Sequence, residues 1–178
     1  MKKKMFLAIS TVLIVLIAVC LYKANQLTSI QIIKSVKISR PQKEVFDMVR
    51  YLNNFPKWSP FIAQDPSLKY EVKGNDGFVG AQYHWNGNKG NDLGYQEIME
   101  VDTFRLVRMK CTIQKPFVAQ PTFDYHFTET PDGIEVTQDF RLQSSLVSAF
   151  FLWVFGAKAE MEKTNQQGLD LLKKVTEK

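Results

Sequence analysis

Two cysteines and two histidines are all that this 178-residue chain holds of each, and the scarcity removes several chemistries at once. Cys20 sits inside a long apolar run and Cys111 in a strand-like stretch, so no disulfide framework is written into the sequence. No His, Cys and carboxylate group has metal-ligand spacing, and neither a metal nor another cofactor is expected. Phosphate-loop, nucleophile-elbow and paired-acid patterns are missing. Repeats and low-complexity tracts are missing too. Finally, no acidic residue precedes Glu44, which makes the first quarter of the chain electrostatically one-sided.

That one-sidedness explains the formal net charge of +5. Lys2, Lys3, Lys4 and Lys23 belong to the N-terminal segment, and the remainder carries 19 Lys+Arg against 18 Asp+Glu. A nearly neutral remainder gives no basic footprint for nucleic acid, and none is expected as a partner. Residues 5–22 are uncharged and apolar. As a helix rising roughly 1.5 Å per residue they reach about 27 Å, near the thickness of a thin bilayer core. The run ends in Ala18-Val19-Cys20-Leu21-Tyr22-Lys23, without the small-x-small pattern of a signal-peptide cleavage site. Residues 1–23 therefore read as an uncleaved membrane anchor. Three lysines before the span and one after it place the N-terminus in the cytoplasm and the rest outside, a single-pass arrangement.

With 45% hydrophobic and 12% aromatic residues, the remainder suits one globular domain, residues 30–178 after a polar linker at 24–29. Alternation at 30–39 predicts a first strand. Ser39-Arg40-Pro41-Gln42 has the form of a helix start, with a serine cap and glutamine three residues on. Val45, Val49 and Leu52 follow at helical spacing, and Trp58-Ser59-Pro60 marks another short turn or helix. Further strands are predicted at 68–73, 79–86, 93–102, 105–113, 122–128 and 133–142. They are punctuated by Gly74-Asn75-Asp76-Gly77, Asn86-Gly87-Asn88 and Pro131-Asp132-Gly133. Val107, Met109, Cys111 and Ile113 form one apolar row, and Arg108, Lys110, Asp124 and His126 belong to a polar opposite row. A sheet with one buried and one wet face accounts for both. From 146 the period becomes helical, predicting one long helix to 176 with Gly156 as a possible bend. Met161, Gly168, Leu169, Leu172 and Val175 form its inward stripe, and Glu160/Lys163 and Asp170/Lys174 are spaced as surface pairs.

The predicted class is α+β: a seven-stranded antiparallel sheet gripping a long C-terminal helix, preceded by one transmembrane helix. From about Lys34 to Lys174 the chain resembles the START-like or SRPBCC superfamily, in its polyketide cyclase/dehydrase and lipid-transport branch. Pro41-x-x-x-Val45-Phe46, Trp58-Ser59-Pro60, Val79-Gly80-Ala81-x-Tyr83-x-Trp85, Gly94 to Ile98, and Gly168-Leu169-x-x-Leu172-Lys173 carry the resemblance. It implies an elongated cavity between sheet and helix that accepts hydrophobic or amphipathic ligands.

Tyr83, Trp85, Phe123, Tyr125, Phe127, Val136, Gln138 and Phe140 are the candidate ligand-binding residues, since alternation puts them on the inner face. Each is equally suited to core packing. His84 and His126 fall on the opposite face. Glu97 and Glu100, three apart in one strand, are expected on opposite faces, which leaves one inward carboxylate as a possible base. Residues 146–155 are apolar around the whole helical circumference yet too short to span a bilayer. Phe150, Phe151, Trp153 and Phe155 are therefore assigned to the membrane surface or the cavity mouth, with cover by the 115–121 loop as the alternative. The expected function is a membrane-tethered binding domain for a hydrophobic or amphipathic small molecule, a lipid or lipid-like metabolite. A cyclase/dehydratase-type enzyme using cavity Tyr and Glu, or a non-catalytic envelope module binding a protein partner, are the alternatives.

Overall fold

The computed structural model describes residues 2–65 and 67–178. Helix α1 (Lys2–Asn25) leads into strand β1 (Ser29–Ile38), followed by α2 (Gln42–Arg50), α3 (Phe55–Trp58) and α4 (Pro60–Gln64). Six strands come next: β2 (Lys69–Lys73), β3 (Gln82–Gly87), β4 (Asp92–Asp102), β5 (Leu106–Lys115), β6 (Thr122–Thr130) and β7 (Gly133–Gln143). Helices α5 (Leu146–Val154) and α6 (Ala157–Thr176) close the chain. The strands form one antiparallel sheet in the order β1-β7-β6-β5-β4-β3-β2. Hairpins join neighbours from β2 to β7, and only β1 crosses, to pair with the last strand.

Helix α6 lies on the inner face because its stripe is apolar there: Gly168, Leu169 and Leu172 are buried, and Met161 and Val175 are half-buried. Leu169 and Leu172 join Phe46, Val49, Leu52, Trp58, Ile98 and Tyr125 in the main core. Its C-terminal end is pinned to β1. Lys173 Nζ donates to the Lys37 carbonyl at 2.6 Å, and Glu177 accepts from the Ser39 amide at 2.8 Å. That second bond replaces the expected capping box. The Gln42 amide turns instead to the Phe104 carbonyl, so α2 starts without a side-chain cap. Asp76 in the β2–β3 loop fastens the segment after α2, accepting from the Leu52 amide at 2.6 Å and the Asn53 side chain at 2.7 Å.

Several other expectations are corrected. The predicted single C-terminal helix is two, because Gly156 takes a left-handed φ of +62° that breaks the hydrogen-bond ladder. Strand β3 begins at Gln82, not Val79, since the chain turns through Gly77 and Gly80 at positive φ first. Glu160 does pair with Lys163, but Asp170 accepts from Gln166 rather than meeting Lys174.

The outer face of the sheet carries buried acids as well as solvated side chains. Asp124 is paired with Arg108, which also reaches Glu100. Asp139 accepts from Gln31 at 3.0 Å and from Arg141. Burial pushes the Asp139 carboxyl up, but the bonds from Arg141 and Gln31 outweigh it and hold it below the usual range. A depressed carboxylate stabilises the fold above its unfolded pKa and loses that contribution as pH falls through the folded value. Asp139→Asn is thus expected to be less stable than the parent at neutral pH. The gap should close below the ordinary carboxylate value of ~3.9, as read by urea titrations across the acid range.

Candidate functional site

The inner face is not filled evenly. Where the C-terminal half of α6 crosses the sheet, Leu169 and Leu172 pack solidly. Where its N-terminal half crosses, the same helical face presents Ala157, Met161, Thr164 and Asn165, and the space opposite is a cavity of about 530 Å³. That volume lies within the ~300–1,000 Å³ of small-molecule sites. A second, smaller apolar cluster of Ile30, Ile32, Phe140 and Leu142 lies nearby, with Leu27, Leu152 and Met161 against it.

Sheet residues from five strands form the walls: Tyr83 and Trp85 of β3, Gln96 of β4, Cys111 and Ile113 of β5, Phe123 of β6, Phe140 and Leu142 of β7. Trp85 is placed by two neighbours. Its indole N–H donates to Asp92 at 2.9 Å, and its ring lies over Gly94, where a Cβ would stand 2.3 Å from the ring. Glycine is needed there for close approach. Gly94→Ala is expected to cost ~1–3 kcal/mol by overpacking and to displace Trp85, changing its fluorescence.

Four of the eight candidate ligand residues line the cavity: Tyr83, Trp85, Phe123 and Phe140. The other four are buried on the same face beyond it. Tyr125, Phe127 and Val136 belong to the main core, and the Gln138 amide donates to the Tyr125 hydroxyl at 2.9 Å. Two residues that line the cavity each bury a polar atom without a partner in the protein, the Tyr83 hydroxyl and the Asn165 amide nitrogen, and both residues are more than nine-tenths buried. Burial pushes the Tyr83 phenol well above its ordinary pKa, with Tyr70 stacked on it adding to the effect. The Cys111 thiol is pushed up to about 12 by burial, so it stays protonated and unreactive.

Both glutamates expected to straddle the sheet lie on its outer face. A bulge between Ile98 and Glu100 adds one residue, Met99, and resets the alternation. Glu97 accepts from Gln82, and Glu100 meets Arg108 outside. His84 stacks on Tyr95 and bonds Gln82, with burial and then Lys73 lowering its pKa, and His126 is exposed.

The mouth is rimmed by phenylalanines from three separate elements. Phe61 of α4, Phe117 of the β5–β6 loop and Phe155 at the α5–α6 junction line the cavity yet are 49%, 55% and 76% exposed. Helix α5, started by a Ser145 cap, packs against α1 and against α6. Phe150 and Trp153 are half-buried, whereas Phe151 and Val154 are exposed. Helix α1 is long and apolar enough to cross a membrane by length and composition, a property that signal sequences share.

Asn165, Thr164 and Gln96 are wall residues that sequence reasoning did not name. Asn165 had a signal: an amide on the inward stripe of Met161, Gly168, Leu169 and Leu172. The family model described as "Polyketide cyclase / dehydrase and lipid transport" matches residues 29–177. Solved structures share the fold at low identity. Protein CV1439 from Chromobacterium violaceum aligns with a TM-score of 0.62 and 13% identity over 83% of this chain and 97% of its own. A Rhizobium leguminosarum protein aligns at 0.61 and 11% over 84% and 95%. DynU16, from the dynemicin biosynthetic locus, aligns at 0.56 and 12% over 81% and 46%. A search of curated proteins finds no match.

Proposed function

The chain belongs to the polyketide cyclase/dehydrase and lipid-transport family, and from that premise we propose that it is a membrane-tethered receptor for a hydrophobic or amphipathic small molecule. The family's fold is that of a ligand-binding or cyclase-type domain. What favours binding is the 530 Å³ hollow, with walls that are mostly aromatic and aliphatic and polar groups that are few. A hollow of that kind holds a greasy guest by close apolar contact alone, and no chemistry is needed for it. The cyclase-type alternative needs an inward base, and Glu97 and Glu100, its named candidates, lie outside.

Helix α1 serves as the anchor in this reading, with the N-terminus cytoplasmic and the domain outside. The contact of α5 with α1, together with the exposed Phe61, Phe117 and Phe155, supports a mouth held against the bilayer surface. A guest entering there leaves lipid without crossing water. The test is organic extraction of the full-length protein after purification in phosphatidylcholine nanodiscs, with mass spectrometry against empty nanodiscs. A stoichiometric small molecule enriched with the protein is the expected result. Repeated extraction with nothing enriched, from membranes of the native host, overturns the reading.

A further inference from the structure

The chain between α1 and the sheet is tied at every step. The Leu27 amide donates to the Ala24 carbonyl at 2.9 Å and the Thr28 amide to the Asn25 carbonyl at 3.3 Å, and β1 starts at Ser29. The Thr28 carbonyl in turn accepts from the Ser144 amide at 2.8 Å, and the Gln143 side chain donates to the Ser29 hydroxyl at 2.9 Å. Ala24 is buried, although residues 11–19 of α1 are exposed. Leu27 packs on the cluster of Ile30, Ile32, Phe140 and Leu142, and so do Leu152 of α5 and Ala119 of the β5–β6 loop. One apolar knot thus fastens the end of α1, helix α5 and that loop to each other. Backbone held on both sides has few free rotations with which to swing the domain.

Two apolar surfaces are carried by that knot and left open. Residues 142–157 and 116–123 contain no charge. Helix α5 buries Ala149 but exposes Val147, Phe151 and Val154, and Val118 in the loop is 81% exposed. Each apolar segment borders an exposed lysine: Lys23 after the α1 run, Lys115 before the loop, Lys158 after α5. Apolar segments edged by lysines suit a place beneath lipid headgroups, with the amines reaching up to the phosphates.

We infer that α5 and the 115–121 loop are membrane elements in their own right, set among the acyl chains of the leaflet nearest the domain, and that the 24–29 joint fixes their depth. It rests on α1 as the anchor, goes beyond a mouth resting on the surface, and does not depend on any guest. Lipid is the occupant because the open face is continuous with α1, which α5 touches. A helix that is apolar all round is stable where protein covers one side and lipid the other.

In the experiment, p-benzoyl-phenylalanine replaces Leu13, Phe78, Val118 or Phe151 singly in the full chain. All four side chains are more than half exposed, so the probe leaves the core untouched. The protein is reconstituted in phosphatidylcholine vesicles, irradiated, and read by intact mass. Leu13 reports the span, and Phe78, in the β2–β3 loop at the other end of the sheet, reports water. Lipid adducts at Val118 and Phe151 as abundant as at Leu13, and none at Phe78, are expected. In the native chain, acyl-brominated phosphatidylcholine should quench tryptophan emission, and Trp153→Phe should remove most of that quenching. Adducts at Leu13 alone overturn the inference and leave the anchor standing. Equal adducts at Phe78 and Val118, cross-linked dimers in place of lipid at Phe151, or quenching undiminished by Trp153→Phe overturn it as well. No lipid adduct anywhere, Leu13 included, is a different failure, and it removes the anchor reading itself.

Discussion

Leu172→Ala is expected to destabilise the protein by ~2–5 kcal/mol, the range for large-to-small changes in a closed core, while Met161→Ala costs less than half as much. Both residues lie on the inward face of α6, eleven positions apart. Leu172 has no measurable exposure and sits within the main core, so its truncation leaves a void that rigid neighbours cannot refill. Met161 already borders open space, so fewer close contacts are there to lose. Urea unfolding followed by tryptophan fluorescence measures both. Equal costs mean that the helix is packed alike along its length, and the cavity loses its physical basis.

The contrast also explains which parts of this molecule were legible from residues. Alternation in β5, β6 and β7 gave the inner row directly, because apolar and polar side chains change places at every step. What alternation cannot supply is height along the strand. Phe123 and Phe127 occupy the same row, yet one borders the cavity and the other the core. The difference is made across the gap by α6, which offers Thr164 and Asn165 at one level and Leu169 and Leu172 at the next. A hollow is a property of two facing surfaces, and neither sequence segment contains it alone.

Small insertions were equally hidden. One extra residue at Met99 turns Glu100 outward, and no composition signal marks a bulge that lacks glycine. The capping pattern at Ser39 and Gln42 was present, but the partners came from Glu177 and Phe104, at distances along the chain that local motifs do not see. By contrast, the apolar run at 146–155 was plain in the sequence, but its neighbour was not. Its helix α5 lies beside α1, and a helix that is apolar on all sides needs such a second neighbour.

Filling the hollow separates binding from folding more sharply than truncation does. Thr164→Trp is expected to lower the amount of co-purified guest by at least ~10-fold, the equivalent of about 1.4 kcal/mol, with stability unchanged or raised. Thr164 is half-buried and lines the cavity from α6. An indole there occupies room that the guest would use and covers apolar wall now left without protein contacts. Thr128→Trp provides the comparison, since Thr128 is exposed on β6, one residue from the inward Phe127. That variant should keep its guest in full. The readout is moles of extracted guest per mole of protein, beside the unfolding midpoint of each variant. Guest retained by Thr164→Trp places the binding surface outside the cavity. Guest lost equally from both variants points to general perturbation of the fold, and the assignment of binding to this interior is then withdrawn.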